Sequence, residues 1–270
     1  MASNFFDQLF KWWYSMGGLF SSSNQGSSSQ IDIAPTRRMR AVCIGWNVVD
    51  PNVPEYDGWD GELPSCELDA NNLAALWISH NIPTKVLLTK DATIEKCKQA
   101  LKESLEDLRE GDWLIVSVSG HGGQTRDYSG DEKDGLDEYL CAYDGPVLDD
   151  TIHEWLQYVP KGVCVLWLCD TCHSGDMARS APPVKFRSRA IPKSFEGQLI
   201  LISGCTEAGT SQDTGEGGVL TNTLLSTSPE GKTPKNWALA VQNEIPKYVQ
   251  QPQYVEYNVS DSFRNATIVV

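Results

Sequence analysis

Positive charge is scarce in this chain. Only 22 Lys and Arg stand against 36 Asp and Glu, leaving a formal charge of -14 at pH 7, and a protein so acidic is not built to bind a phosphate backbone. Nucleic acid is therefore excluded as an expected partner. A disulfide framework is missing too: the 8 Cys show no paired spacing, and Cys43, Cys164 and Cys169 lie inside apolar runs. That usage fits buried, reduced thiols in a cytoplasmic protein. No internal repeat is visible, which removes stacked-repeat architectures. Residues 1–20 are rich in aromatics but lack a basic leading region and a clean cleavage site, and Asp7 and Lys11 interrupt them, so neither a secretory signal nor a spanning helix is expected. Ala2 stands where myristoylation needs Gly. What that stretch does have is a single helical face carrying Phe5, Leu9, Trp12, Trp13, Met16 and Phe20. Two expectations stay open for it: peripheral association with a membrane surface, or docking on a partner or on the body of the protein.

Ser21 to Gln30 has the composition of a flexible linker. The chain thus divides into an apolar segment with its linker, residues 1–35, and a folded body over 36–270. A hydrophobic content of 40% suffices for one α/β domain with a substantial core. Strands are predicted at 39–45, 85–88, 113–118, 163–169 and 198–203, with a further edge strand near 266–270. Helices are predicted at about 66–80, 92–108, 149–158 and 237–248, the last in spite of Pro246. Strands alternating with helices imply a mainly parallel, layered α/β sheet.

Two short runs carry the chemistry. Ser119-Gly120-His121-Gly122 follows one buried strand pattern, and Asp170-Thr171-Cys172-His173-Ser174-Gly175 follows another. Neighbouring strands of a parallel sheet share the crevice at their carboxyl ends, so His121 and Cys172 are expected to face each other there. A thiol entering a turn or helix start beside backbone N–H groups becomes a nucleophile, and an imidazole within reach serves as its base. His173, adjacent to Cys172 in an extended chain, would point away from it. The glycines leave room for a substrate backbone, and the N–H groups of Gly122 and Cys172 are the expected oxyanion donors. Cys169-x-x-Cys172 also permits a thiol-disulfide pair, and with His173 it spells a haem-attachment pattern. Haem attachment needs an exported chain, and Cys169 ends a buried strand pattern; the thiol-disulfide reading assigns no task to His121 or Asp69.

Between Asp127 and Asp150 lie Asp131, Glu132, Asp134, Asp137, Glu138, Asp144 and Asp149, with only Arg126 and Lys133 nearby. This is either a solvated acidic loop or the seat of a hard cation. From Asp176 to Phe195 the composition turns basic and Pro-containing, as in an exposed segment open to nicking.

At these residues the sequence resembles the metacaspases, caspase-fold cysteine peptidases. The resemblance rests on Cys66-x-x-Asp69-Ala70, on the His121 and Cys172 motifs, on Ile202-Ser203-Gly204-Cys205 followed by Thr210-Ser211-Gln212-Asp213, and on Pro252-Gln253. It runs from about Arg38 to the last residue, with a short linker as in type I members and no zinc-finger prodomain. It implies a three-layer α/β/α sandwich, large-subunit-like over 36–180, a basic linker over 181–196 and small-subunit-like over 197–270. It also implies protein or peptide substrates cleaved after Arg or Lys, with Asp69, Ser119 and Asp170, beside Cys66, lining the S1 pocket. Two carboxylates would hold a guanidinium there, although Asp170 could instead cap the turn. Calcium (Ca2+) activation is implied through Asp137, Asp149 and Asp150; the chain departs from the pattern at Arg179, where a further ligand is expected. Self-processing of a zymogen would fall at Lys185, Arg187, Arg189 or Lys193. The alternatives are an inactive caspase-fold scaffold, or a redox protein using Cys169 and Cys172.

Overall fold

A computed structural model describes residues 37–126, 136–173, 195–204 and 216–270, with backbone alone at 124–126, 136–138 and 172–173. The sheet grows from its most apolar runs. β1 (Met39–Gly45) pairs in parallel with β2 (Thr84–Leu88) on one side and with β3 (Trp113–Arg126) on the other. β3 pairs in parallel with β6 (Cys164–His173), and β6 with β7 (Gln198–Ser203). β8 (Gln253–Tyr257) closes that side antiparallel to β7. The resulting order is β2-β1-β3-β6-β7-β8. β1 and the β6 and β7 runs are buried on both faces, as the central strands of a parallel sheet must be.

Strand alternation divides the side chains between two cores. Leu114, Val116 and Val118 of β3, with Val165, Trp167 and Cys169 of β6, pack with α2 (Ile94–Leu105) and α3 (Asp149–Leu156). Trp113 and Ile115, with Cys164, Leu166 and Leu168, face α1 (Cys66–Ser79), α4 (Val219–Thr227) and α5 (Pro234–Glu244). Helices cover both faces, which is the three-layer α/β/α sandwich expected. A short α6 (Asp261–Arg264) adds Phe263 against Trp113, their rings 5.0 Å apart. α2 starts where the Thr93 hydroxyl accepts from the Lys96 amide, and α5 where Thr233 does the same for Asn236.

The structure departs from the sequence reading at several elements. β3 does not stop before the His motif but runs through it, and β6 runs into the Cys motif as far as His173. Part of the acidic stretch is a hairpin, β4 (Leu136–Ala142) and β5 (Gly145–Leu148), with β4 antiparallel to the far half of β3. α5 ends at Glu244 instead of continuing to 248, because Pro246 cannot extend it. The tail is not an edge strand: Ile268 and Val269 are buried, Val269 makes one isolated bridge to Glu230, and β8 is the outer strand on that side. Among the described residues no helix is long and apolar enough to cross a membrane. Residues 1–36, with the apolar face read from the sequence, lie outside the described residues.

Candidate active site

The β3–β6 register decides where the two motifs meet. Ser119 pairs with Asp170, Gly120 with Thr171 and His121 with Cys172. Adjacent strands lie about 4.8 Å apart, and register partners stand on the same face of the sheet. Positions 117, 119 and 121 of β3 therefore share a face with 168, 170 and 172 of β6, the one covered by α1 and α4. The expected juxtaposition of His121 and Cys172 holds at the level of the backbone. One detail is added: β6 extends through Cys172 to His173, so the Cys172 backbone is that of a strand residue. Gly122 ends the β3–β6 pairing and begins the β3–β4 pairing, so ladder bonds compete there with any oxyanion for the amide.

His121 is half-buried, and its ring tilts against Trp59 at 4.9 Å between centroids and 52° between planes. Burial pushes its pKa below the ordinary imidazole value, and the nearby Gly61 carbonyl opposes that shift. Neither ring nitrogen makes a hydrogen bond of normal geometry to a described residue. Trp59 itself is held from behind. Its amide donates to the Tyr56 carbonyl at 2.9 Å, and the buried Tyr56 hydroxyl donates to the Ala142 carbonyl at 2.6 Å. This stretch falls between the predicted strand at 39–45 and the predicted helix at 66–80, and an aromatic inside a loop has no periodicity to betray its role.

Two carboxylates lie beside the pair. Asp69, on α1, is 1% exposed and Asp170, on β6, is 6% exposed. The Ser119 hydroxyl donates to Asp69 Oδ2 at 2.7 Å, and the Gly218 amide donates to Oδ1 and Oδ2 at 3.0 and 3.2 Å. Asp170 Oδ2 accepts from the Thr221 amide and hydroxyl at 2.9 and 2.8 Å. Asp170 thus caps α4 from another element, while Gly218 is the N-cap residue of the same helix. The positive end of α4 compensates both acids. A Cβ at Gly218 would sit 2.3 Å from Asp170 Oδ2 and 3.0 Å from Asp69 Oδ2. The two acids converge on one point that only glycine leaves open. Cys66, buried at the first turn of α1, completes the expected set. The roles of Gly218 and Thr221 were invisible in the sequence, because 149 residues separate Asp69 from Gly218.

The paired-thiol alternative fails on geometry. Residues three apart in a strand stand on opposite faces about 10 Å apart, beyond the reach of about 7 Å that a disulfide allows. Cys169 is buried in the α2/α3 core, touches the Thr171 hydroxyl at 3.5 Å and has its pKa pushed up to about 12 by burial. Of the acidic ligand candidates, Asp149 and Asp150 open α3 directly after β5, whose last register pair is Leu148 with Tyr139. Asp137 lies on β4 as the register partner of Thr125 on β3. The Asp150 amide donates to Asp149 Oδ1 at 3.0 Å. No cluster of three metal-ligating side chains occurs among the residues whose side chains are described. Arg179, Lys185, Arg187, Arg189 and Lys193 lie outside the described residues.

A family model for the caspase domain of peptidases matches residues 51–264. The chain belongs to the caspase-domain family. Within that family it is similar to the metacaspases: 33% identical over 171 residues to metacaspase-1 of Candida glabrata, covering 57% of this chain and 42% of that protein. It is 35% identical over 155 residues to metacaspase-1 of Pyricularia oryzae, covering 52% of this chain and 37% of that protein. The chain therefore spans less than half the length of these two relatives. Among solved structures, a Geobacter sulfurreducens protein superposes with a TM-score of 0.73 at 30% identity, covering 86% of this chain and 98% of that one. Caspase-1 of Spodoptera frugiperda superposes at 0.55 with 13% identity, over 82% of this chain and 85% of its own, a likeness of fold alone. The caspase-domain sheet explains why a His on β3 and a Cys on β6 meet: they are register partners on adjacent parallel strands.

Proposed function

We propose that this caspase-domain protein is a cysteine endopeptidase that cleaves after Arg or Lys. One observation carries the reading: two buried carboxylates, Asp69 and Asp170, converge two positions before the His121–Cys172 register pair, on the same face of the sheet. Such a pocket suits a cation, and a guanidinium suits it well because it donates in a plane to two carboxylates at once. Ser119 fixes the orientation of Asp69 before substrate arrives.

In the reaction, the Cys172 sulfur bonds to the scissile carbonyl carbon and its proton passes to His121. His121 then gives a proton to the departing amine as the C–N bond breaks, and water, deprotonated by the same imidazole, releases the acyl group. An imidazole held neutral by burial is in the right state to take the first proton. The amides of Gly122 and Cys172 are assigned to the oxyanion. Calcium stimulation is part of the proposal: Asp137, Asp149 and Asp150 offer hard oxygen donors, and β4, which carries Asp137, pairs with the His121 strand. When bound, the ion would neutralise these acids and order them. Self-processing in the basic linker is the corresponding assignment for Lys185, Arg187, Arg189 and Lys193.

The test is hydrolysis of a fluorogenic peptide ending in Arg, with calcium and with a chelator. Cys172→Ala should abolish turnover, whereas Cys169→Ala should retain it if folded. Turnover that survives Cys172→Ala would overturn the reading, and a wild-type chain silent at every calcium level would favour the inactive scaffold.

A further inference from the structure

Gln250 lies in the chain leading from α5 into β8, and nothing in the motif pattern singles it out. It is 2% exposed, yet neither its Oε1 nor its Nε2 has a hydrogen-bond partner among the described residues. Burying a carboxamide with both ends unsatisfied costs about 1–3 kcal/mol for each polar group, so a protein that keeps one has a use for it. Its placement is enforced. The Gln250 amide donates to the Pro246 carbonyl at 3.2 Å, and the Gln242 side chain donates to the Pro252 carbonyl at 2.8 Å. These bonds clamp the segment on both sides.

The carboxamide ends at the acid pocket. Gly204 continues β7 beside Asp170, its amide donating to the Cys169 carbonyl at 3.0 Å. A Cβ on Gly204 would lie 2.3 Å from Gln250 Nε2 and 3.4 Å from Asp170 Oδ1. The absent side chain of Gly204 is therefore the space through which Gln250 approaches Asp170.

We propose that Gln250 is a specificity-determining residue of the S1 pocket, supplying an uncharged acceptor for the guanidinium of an Arg substrate. The inference rests on the Arg/Lys reading above and deepens it. A guanidinium carries five N–H donors, while Asp69 and Asp170 already accept from Ser119, Gly218 and Thr221. A third carboxylate would add repulsion to an already doubly anionic pocket; a carboxamide oxygen adds an acceptor without charge, reached by a half-turn of the amide. The Lys ammonium, a compact charge with three donors, gains less from a neutral acceptor to one side. Gln250 should thus favour Arg over Lys.

The experiment compares wild type, Gln250→Leu and Gln250→Glu in the full chain, reading kcat/KM for matched Arg and Lys peptides, melting temperature, and the thermal shift given by agmatine. Gln250→Leu should lower the Arg-to-Lys ratio about tenfold, the loss expected for one hydrogen bond to a charged group. Its melting temperature should stay level or rise, since two orphaned polar atoms disappear, and its agmatine shift should shrink. Gln250→Glu keeps an acceptor but adds a third negative charge, so its melting temperature should fall while its Arg-to-Lys ratio stays above that of Gln250→Leu; a ratio as low as that of Gln250→Leu would overturn the acceptor role. An unchanged Arg-to-Lys ratio in Gln250→Leu, or an equal fall for both peptides with a lowered melting temperature, would overturn the assignment. A wild-type enzyme that cleaves both peptides equally would overturn this inference alone; one that cleaves neither would overturn the pocket reading, and this inference with it.

Discussion

An imidazole packed against an indole resists protonation. His121 meets Trp59 at 4.9 Å, and burial holds its pKa below the ordinary value, which is about 6.5 in the unfolded chain. Below that pH the unfolded chain binds a proton that the folded chain refuses, so the folded state loses stability as pH falls. The contribution is complete above about 6.5 and declines below it by at most about 1.4 kcal/mol per pH unit until the folded pKa is reached. Urea denaturation of wild type and His121→Asn across this range should show the wild type losing more stability on acidification. Parallel curves would mean that the imidazole titrates equally in both states. The same residue shows what a motif can reveal: position 121 was legible because His between glycines after a buried strand is a local pattern. Trp59 was not, since its partnership with His121 spans 62 positions of chain with no shared period.

At the scale of elements, the site depends on how closely α1 approaches β1. A Cβ on Gly45 would sit 2.2 Å from the Cys66 carbonyl oxygen, a backbone atom that cannot rotate aside. Gly45 ends β1 and Cys66 opens α1, so this contact fixes the helix that delivers Asp69 one turn later. Gly45→Ala should destabilise the fold by about 1–3 kcal/mol or more, the range for overpacking a core, which lowers the melting temperature by about 2–4 °C per kcal/mol in a domain of this size. Below that melting temperature, KM for an Arg peptide should rise more than kcat falls, because the pocket moves while the β3–β6 register stays. An unchanged KM would separate α1 from substrate binding. The elements that the sequence reveals are those with one dominant signal. β1, β6 and β7 are continuous apolar runs, and α2 has Cys97, Leu101 and Leu105 in phase. β8 has only five positions, Gln-Tyr-Val-Glu-Tyr, with no clean alternation, and α4 is rich in Thr, a weak helix former. Both are held by the core they cover, which no local pattern encodes.

Across the whole molecule, charge and topology act on the substrate at different ranges. The surplus of 36 acids over 22 bases sets a negative field that attracts cationic peptides from a distance and is screened within about 8 Å at physiological salt. The acid pocket, by contrast, is assembled in the interior from α1, β3, β6 and the start of α4, and its contacts are screened much less. This also explains which part of the site stayed hidden: composition announced an acidic surface, whereas the convergence on Gly218 exists only after four distant segments have packed. The two ranges separate in a salt titration. Raising monovalent salt from about 0.05 M to about 0.5 M should lower kcat/KM several-fold for an Arg peptide flanked by Lys, through weaker steering. For an Arg peptide flanked by Glu the same titration should leave kcat/KM level or raise it, since the long-range term then opposes binding. Calcium is held saturating in both arms, so that Asp137, Asp149 and Asp150 are in one state throughout. If both peptides lose activity equally, salt is acting on the pocket or the fold, and the outer field has no part in choosing substrates.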